Sequence, residues 1–458
     1  MERVATSFKT NLRMVMALGL PLAGSHLAQF MLAVTDTVML GWYGVADLAA
    51  GVLGAALFFA IFTFGTGFAN AVMPMVATAA ASDMDAEVRR ATRMGLWLSI
   101  AFGIAALPFF WFSGAFLSAL GQPVDVVPLA EAYMRILGFS LVPALAVMVL
   151  KNYLAALERT QVALWITIAA VGLNIFLNWM FIFGNLGMPE LGVRGAAIAT
   201  ILVNLASVAA LALYCALLPA LRRYTLFLRF WRADWQAMGQ VWRLGWPIGV
   251  ALVAETALFT AAAVMMGWIG THELAAHGIA LEITAALFMV HLGFSNAATV
   301  LVGRARGRRD QIALRAGART SVIVSVVFAS LTMILYIVAG PFLVGLFLAP
   351  DEPARATIIM IGASFLIVAA VFQVADGAQV MAMGLLRGVQ DTRWPMLIAA
   401  FSYWGVGLPT SYLLGIHWGY GGEGIWAGLV VGLTMAAILL MWRFWRGPGR
   451  SNATPWAQ

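Results

Sequence analysis

Charge and cysteine are what this sequence has least of. Charged residues occupy 10% of the 458 positions, against about 25% in an ordinary soluble domain, too few to clothe a water-facing surface of that size. A single cysteine, Cys215, excludes an internal disulfide framework and any zinc site built on thiolates. Its expected place is that of a small buried apolar residue. The five histidines, His26, His272, His277, His291 and His417, are scattered without the spacing that metal ligands need. HExxH, GxSxG and paired-Asp motifs are missing, so neither metallohydrolase nor serine-hydrolase chemistry is supported. The chain therefore reads as a non-enzyme with no resident cofactor.

What fills the sequence instead is hydrocarbon. Hydrophobic residues make up 62% of it and the mean hydropathy is +0.91, the composition of a polytopic membrane protein. Windows of about 20 apolar residues, long enough to cross a bilayer core, fall at 13–41, 46–80, 92–117, 129–151, 161–183, 194–218, 241–268, 273–302, 318–348, 357–386, 392–415 and 424–445. Twelve spans are predicted. The first apolar stretch is too long for a signal-peptide core and is expected to be retained. With the N-terminus placed in the cytoplasm, 24 of the 27 Lys and Arg residues fall on the cytoplasmic side, and only Arg135, Arg194 and Arg355 on the other. This positive-inside bias accounts for the net charge of +7 and leaves no basic face for nucleic acid. Both termini are expected in the cytoplasm.

The chain repeats itself. Shifted by 226 positions, residues 18–50 fall on 244–276 without a gap, pairing Gly19 with Gly245, Pro21 with Pro247, Gly41 with Gly267 and Trp42 with Trp268. The same shift lays "GFANA" (67–71) on "GFSNA" (293–297), and a slightly larger one lays "LERTQVALW" (157–165) on "LRGVQDTRW" (386–394). The expected fold is all-α integral membrane: twelve transmembrane helices in two pseudo-symmetric six-helix lobes around a central cavity. The expected division is an N-terminal lobe at 1–218, a cytoplasmic linker at 219–240, a C-terminal lobe at 241–446 and a cytoplasmic tail at 447–458. The linker mixes Arg with Trp, Tyr, Phe and Leu, a composition that predicts an interfacial amphipathic helix.

Carboxylates interrupt the spans. Asp36, in "MLAVTDTVMLGW", Glu255 and Asp376 lie well inside them, and Glu282 is expected there too. An ionised acid at mid-bilayer costs roughly 2.5–3.5 kcal/mol on insertion scales, so each must be solvated, paired, protonated or given a mobile cation. Lys and Arg are absent from mid-span positions, with Lys151 and Arg135 near span ends. The acids are thus expected to serve travelling cations. Asn174 and Asn178 stand four apart, on one helical face, and Thr200 ends "GVRGAAIAT" on the next span. With Asp36 they offer two amides, a hydroxyl and a carboxylate, enough oxygen to hold Na⁺ or share a proton. Asp36 aligns with Ala262 and Glu255 with Gln29, so the two sites are not copies. Pro21 and Pro247 are candidate hinges, or kinks that serve packing alone.

The openings "LGLPLAGSHLAQFMLAVTDTVMLG" and "LGWPIGVALVAETALF", with "ELAAHGIALEIT" and "FQVADGAQVMAMGLLRGVQDT", resemble the multidrug and toxic compound extrusion (MATE) family, NorM-type branch, over nearly the whole chain. The resemblance implies export of lipophilic, often cationic drugs and dyes against inward H⁺ or Na⁺, by a monomer in the bacterial inner membrane. It also implies a first-lobe cation site at Asp36, Asn174, Asn178 and Thr200 and a second-lobe site at Glu255 and Asp376, either able to take Na⁺. Asn178 stands where a related branch has Asp, and Phe372 where many NorM-type members have Tyr. The alternative is a lipid-linked oligosaccharide flippase, which would need a basic cavity for pyrophosphate where this chain has acids.

Overall fold

The structure, a computed structural model, describes residues 7–449; the last nine residues of the expected tail lie outside them. Hydrocarbon offers backbone N–H and C=O groups no partner, so a span must satisfy its own ladder. Among the described residues it does so with twelve helices long and apolar enough to cross a membrane: α1 (Phe8–Tyr43), α2 (Val45–Ala81), α3 (Asp85–Trp111), α4 (Val127–Ala156), α5 (Thr160–Ile182), α6 (Val193–Leu217), α7 (Trp235–Ile269), α8 (Thr271–Gly307), α9 (Gln311–Gly345), α10 (Arg355–Gly388), α11 (Arg393–His417) and α12 (Gly421–Arg446). Every expected span has its helix. The third ends earlier than hydropathy indicates: the helix stops at Trp111, and the chain restarts as a short helix at Ser113–Ala119. Both sides of that break are apolar, so a hydropathy window runs through it.

The helix boundaries carry the repeat. α2 begins at Val45 and α8 at Thr271, and both end 226 positions apart, at Ala81 and Gly307. The same shift relates the starts of α3 and α9, at Asp85 and Gln311. α4 is not an ideal rod: it passes through a 3₁₀ turn at Gly138–Ser140, just ahead of Pro143, which has no N–H for the ladder.

Two compact units form, but they do not divide at the linker. One comprises Gly24–Gly249, the other Met1–Ala23 with Val250–Gln458. Each unit therefore takes in the start of the other half's first helix, through equivalent glycines. A Cβ on Gly67 of α2 would strike the backbone of Gly245 and Gly249 at the start of α7. A Cβ on Gly293 of α8, the repeat partner of Gly67, would strike the backbone of Ala23 in α1. Only glycine lets these backbones approach so closely. The chain crosses between units at 23/24 and 249/250, two residues beyond Pro21 and Pro247.

The linker is not the expected amphipathic helix. After one helical turn at Pro219–Arg222 it runs as turns to the start of α7. Its backbone is held by side chains of α3 instead of by its own ladder. Arg93 donates from Nη1 to the carbonyls of Leu228 (3.4 Å) and Arg229 (3.1 Å), and Trp97 donates from Nε1 to that of Phe230 (2.9 Å). Arg90 grips Asp234 from Nε at 2.5 Å and from Nη2 at 3.1 Å. The Asp234 carboxylate also accepts from the amide of Ala237 at 3.0 Å, capping α7. The Arg90 guanidinium holds the Asp234 carboxyl below its ordinary range, with the cap acting in the same direction.

Candidate functional site

The first candidate site assembles from α1, α5 and α6, within the unit Gly24–Gly249. α5 and α6 come together because Gly195 sits against the carbonyl of Phe181, where any Cβ would collide with it. That approach sets Asn174 and Asn178, on one face of α5, opposite Thr200 on α6. Asp36 enters from α1. Its Oδ1 accepts from Asn174 Nδ2 at 3.0 Å and from Asn178 Nδ2 at 2.6 Å, and its Oδ2 accepts from Thr200 Oγ1 at 3.3 Å. All four sequence-predicted residues are thus in one hydrogen-bonded cluster. Asn178 also donates to Asn174 Oδ1 at 3.3 Å.

Two features of this cluster matter for its chemistry. Its carboxylate is held by three neutral donors and, among the described residues, forms no ion pair with any basic side chain. Asn178 is fully buried and its Oδ1 has no hydrogen-bond partner. A buried acceptor left unmatched beside a carboxylate fits a cation that is not resident, since a hard cation such as Na⁺ takes oxygen ligands. Asp36 itself is only half-buried, so an ion has a way to it. Tyr133 of α4, which sequence reasoning missed, is buried within the field of Asp36. Among the described residues no group of three or more His, Cys, Asp and Glu side chains is gathered; the donors here are amide and hydroxyl oxygens around one acid.

The second candidate site lies in the other unit. Asp376 of α10 is buried, with its Oδ1 unpartnered, and interacts electrostatically with half-buried Glu255 of α7. The expectation of acids without a resident cation fails here. Arg387 stands next to last in α10 but is buried, 6% exposed, and its charge acts on Glu255. Tyr403 of α11 is fully buried within the fields of Glu255, Asp376 and Arg387, and its hydroxyl accepts from Gln379 Nε2 at 2.6 Å. It sits in a π-helical stretch, Phe401–Gly407, an irregularity often found at functional positions. Two acids and one arginine leave this cluster one negative charge in excess when all are ionised. Arg387 belongs to the "LLRGVQDT" run and was visible in the sequence as part of it; nothing in the sequence marks Tyr403.

The remaining singled-out residues fall elsewhere. Phe372, one turn before Asp376, packs its ring edge-on against Trp426 at 5.4 Å and Phe259 at 5.9 Å. Glu282 lies within α8 with its side chain exposed and joins neither cluster. His277 is buried against the ring of Trp426 at 5.5 Å, and His291 Nδ1 is paired with Ser325 Oγ at 3.1 Å. Cys215 is buried, as its scarcity and apolar setting indicate.

Comparison with known proteins finds the MatE family model matching residues 21–180 and 247–413. The chain is 41% identical over 449 residues to the "Probable multidrug resistance protein NorM" of Rhizobium meliloti (strain 1021), covering 98% of this chain and 96% of that one. It is 38% identical over 428 residues to the "Multidrug resistance protein NorM" of Burkholderia vietnamiensis, covering 93% and 92%. Among solved structures, an outward-facing multidrug resistance MATE family transporter of the MOP superfamily shares the fold with a TM-score of 0.86 at 20% identity, covering 95% of this chain and 96% of that one.

Proposed function

The chain belongs to the MatE family, and from that premise we propose that it is a multidrug exporter that moves lipophilic, often cationic compounds outward in exchange for inward H⁺ or Na⁺. The curated relatives named as multidrug resistance proteins support the substrate class. The observation that carries the exchange is the Asp36 carboxylate, held by three neutral donors with no cationic side chain paired to it. A site of that kind has one strong preference, for a cation, and can satisfy it with a coupling ion or with the positive end of a drug. Occupancy by one lowers affinity for the other, and negative coupling between two ligands is what antiport requires.

The residues divide the work. Asp36 supplies the charge, while Asn174, Asn178 and Thr200 orient it and offer oxygens to Na⁺ or, for a proton, a ready hydrogen-bonding shell. Glu255 and Asp376 form the second ion-responsive cluster, where Arg387 sets the charge balance and Tyr403 with Gln379 fixes the geometry. Pro21 and Pro247 give the chain a point of bending where it passes from one compact unit into the other. The protein works as a monomer in the bacterial inner membrane with both termini in the cytoplasm, the orientation that the Lys and Arg distribution selects. The membrane potential then contributes about 2.3 kcal/mol per charge per 100 mV to each inward cation not balanced by outward charge.

The test is efflux of ethidium and of a fluoroquinolone from everted vesicles, driven separately by a pH gradient and by a Na⁺ gradient. Asp36→Asn keeps the shape and removes the charge; it is expected to lower gradient-driven efflux at least tenfold, with Glu255→Gln and Asp376→Asn also impaired. Normal pumping by all three variants overturns the assignment of the sites, and no efflux from wild-type vesicles under either gradient overturns the function.

A further inference from the structure

One cation in the unit Gly24–Gly249 has no part in either acid cluster. Lys151 sits on α4, five residues before its end. A lysine so placed would ordinarily run its stem along apolar surface and lift its ammonium to the interface. Lys151 does not: the residue is 5% exposed, and its Nζ has no hydrogen-bond partner. No described carboxylate pairs with it. His26 of α1, a neutral imidazole at ordinary pH, lies within the field of the Lys151 ammonium and remains partly accessible.

The surroundings are built and polar. Gln29, one turn beyond His26 on α1, points its Nε2 at Met148 Sδ (3.5 Å), one turn before Lys151 on α4. Asn152, beside Lys151, is already committed, donating to the carbonyl of Ala69 at 2.9 Å and to Asn70 Oδ1 at 3.1 Å. Ser25 Oγ and Thr167 Oγ1 are paired at 3.1 Å. The neighbouring polar groups are thus satisfied among themselves, and the amine is left over. A buried ammonium without a partner is expensive. An anion arriving from outside would relieve it.

We infer that Lys151, with His26 and Gln29, forms a subsite for the carboxylate of zwitterionic compounds that the protein transports. The α1 helix relates this subsite to the first cation site. Gln29 and Asp36 lie seven residues, two turns, apart on one side of α1, about 10 Å along its axis at 1.5 Å per residue. A compound with an ammonium at one end and a carboxylate at the other can reach from Asp36 to Gln29, its negative end turned past Gln29 toward Lys151, one turn beyond Met148 on α4. A purely cationic dye uses the Asp36 end alone. The subsite thereby widens the range of cargo to zwitterions, and it rests on the exporter reading above.

The experiment compares norfloxacin, norfloxacin methyl ester and ethidium with protein reconstituted in phosphatidylcholine vesicles, for wild type, Lys151→Met and Lys151→Arg. Removing an unpaired buried charge relieves desolvation, so Lys151→Met is expected to fold, and ethidium binding by the same sample verifies it. The expected result is at least a tenfold fall in the norfloxacin-to-ethidium affinity ratio in Lys151→Met, partial recovery in Lys151→Arg, and no such fall when the methyl ester replaces norfloxacin. An equal change for all three compounds, or none for norfloxacin, overturns the subsite. So does a Lys151 effect that emerges only when phosphatidylglycerol is added, which would assign the amine to a lipid headgroup. Should wild-type protein bind neither norfloxacin nor ethidium, it is the exporter reading that fails.

Discussion

At the residue scale, the proposed first cation site depends on how strongly each neutral donor holds the Asp36 carboxylate. The shortest contact comes from Asn178, at 2.6 Å, and hydrogen bonds to a charged group contribute about 1.5–3 kcal/mol. Asn178 also carries the unmatched Oδ1, so Asn178→Ala removes both a clamp on the carboxylate and an oxygen free for a cation. The coupling-ion concentration for half-maximal efflux is expected to rise about 10- to 100-fold, since each 1.4 kcal/mol is a factor of ten. Thr200→Val, which loses the longer 3.3 Å contact, should shift it less; a larger effect at Thr200 than at Asn178 would reverse the assigned order. These four residues could be found in the sequence because each breaks an apolar run: a lone acid in α1, an amide pair at i, i+4 in α5 and a hydroxyl in α6. Arg387 and Tyr403 could not be assigned in the same way. A basic residue at a span end and a tyrosine among aromatics both look like interface anchors, and only the packing of α10 and α11 shows that they are buried with Glu255 and Asp376.

Helices bring these residues together, and two contacts at this scale have measurable consequences. Gly195 lets α6 touch the carbonyl of Phe181 on α5; Gly195→Val would force the pair apart and draw Thr200 away from Asp36. A loss of roughly 1–3 kcal/mol is expected from overpacking of this kind, read as a lower unfolding midpoint of the purified protein together with weaker cation dependence. The linker offers a pH test. Arg90 keeps Asp234 below its ordinary carboxyl range, so the linker's docking is complete above about pH 4, the usual aspartate value, and is lost as pH falls through the lower folded-state value. Hydrogen exchange across residues 219–240 should therefore quicken on acidification in the wild type. In Arg90→Gln it should already be fast at neutral pH and change little further. Hydropathy could not foresee the form of this linker, because Arg mixed with Trp, Phe and Leu suits a helix lying on the membrane and equally a run of turns docked on α3. What decides is Arg93 and Trp97, whose donors take the carbonyls of Leu228, Arg229 and Phe230 that a helix would have needed for itself.

At the scale of the whole molecule, the twelve spans and their twofold repeat could be read almost entirely from the sequence, down to the 226-residue shift that the ends of α2 and α8 reproduce. The exchange of helix starts between units could not. Gly67 and Gly293 are equivalent in the repeat, and self-alignment says nothing about whether each meets its own half's first helix or the other's; the structure sets Gly67 against Gly249 and Gly293 against Ala23. That exchange gives Pro21 and Pro247 their meaning, since each lies two residues before the point where the chain leaves one compact unit for the other. A proline inside a helix removes one ladder bond and typically costs about 3 kcal/mol, which a helix needed only for packing could recover by substitution. If the bend is part of the cycle, Pro21→Ala and Pro247→Ala should raise the unfolding midpoint, leave the equilibrium affinity for the coupling ion nearly as it was, and slow efflux severalfold. Because bending at either crossing alone would still let one helix flex, the double variant should be slower than either single one. Unimpaired efflux in the double variant, with the same gain in stability, would return both prolines to the status of packing kinks and move the conformational step of transport elsewhere in the bundle.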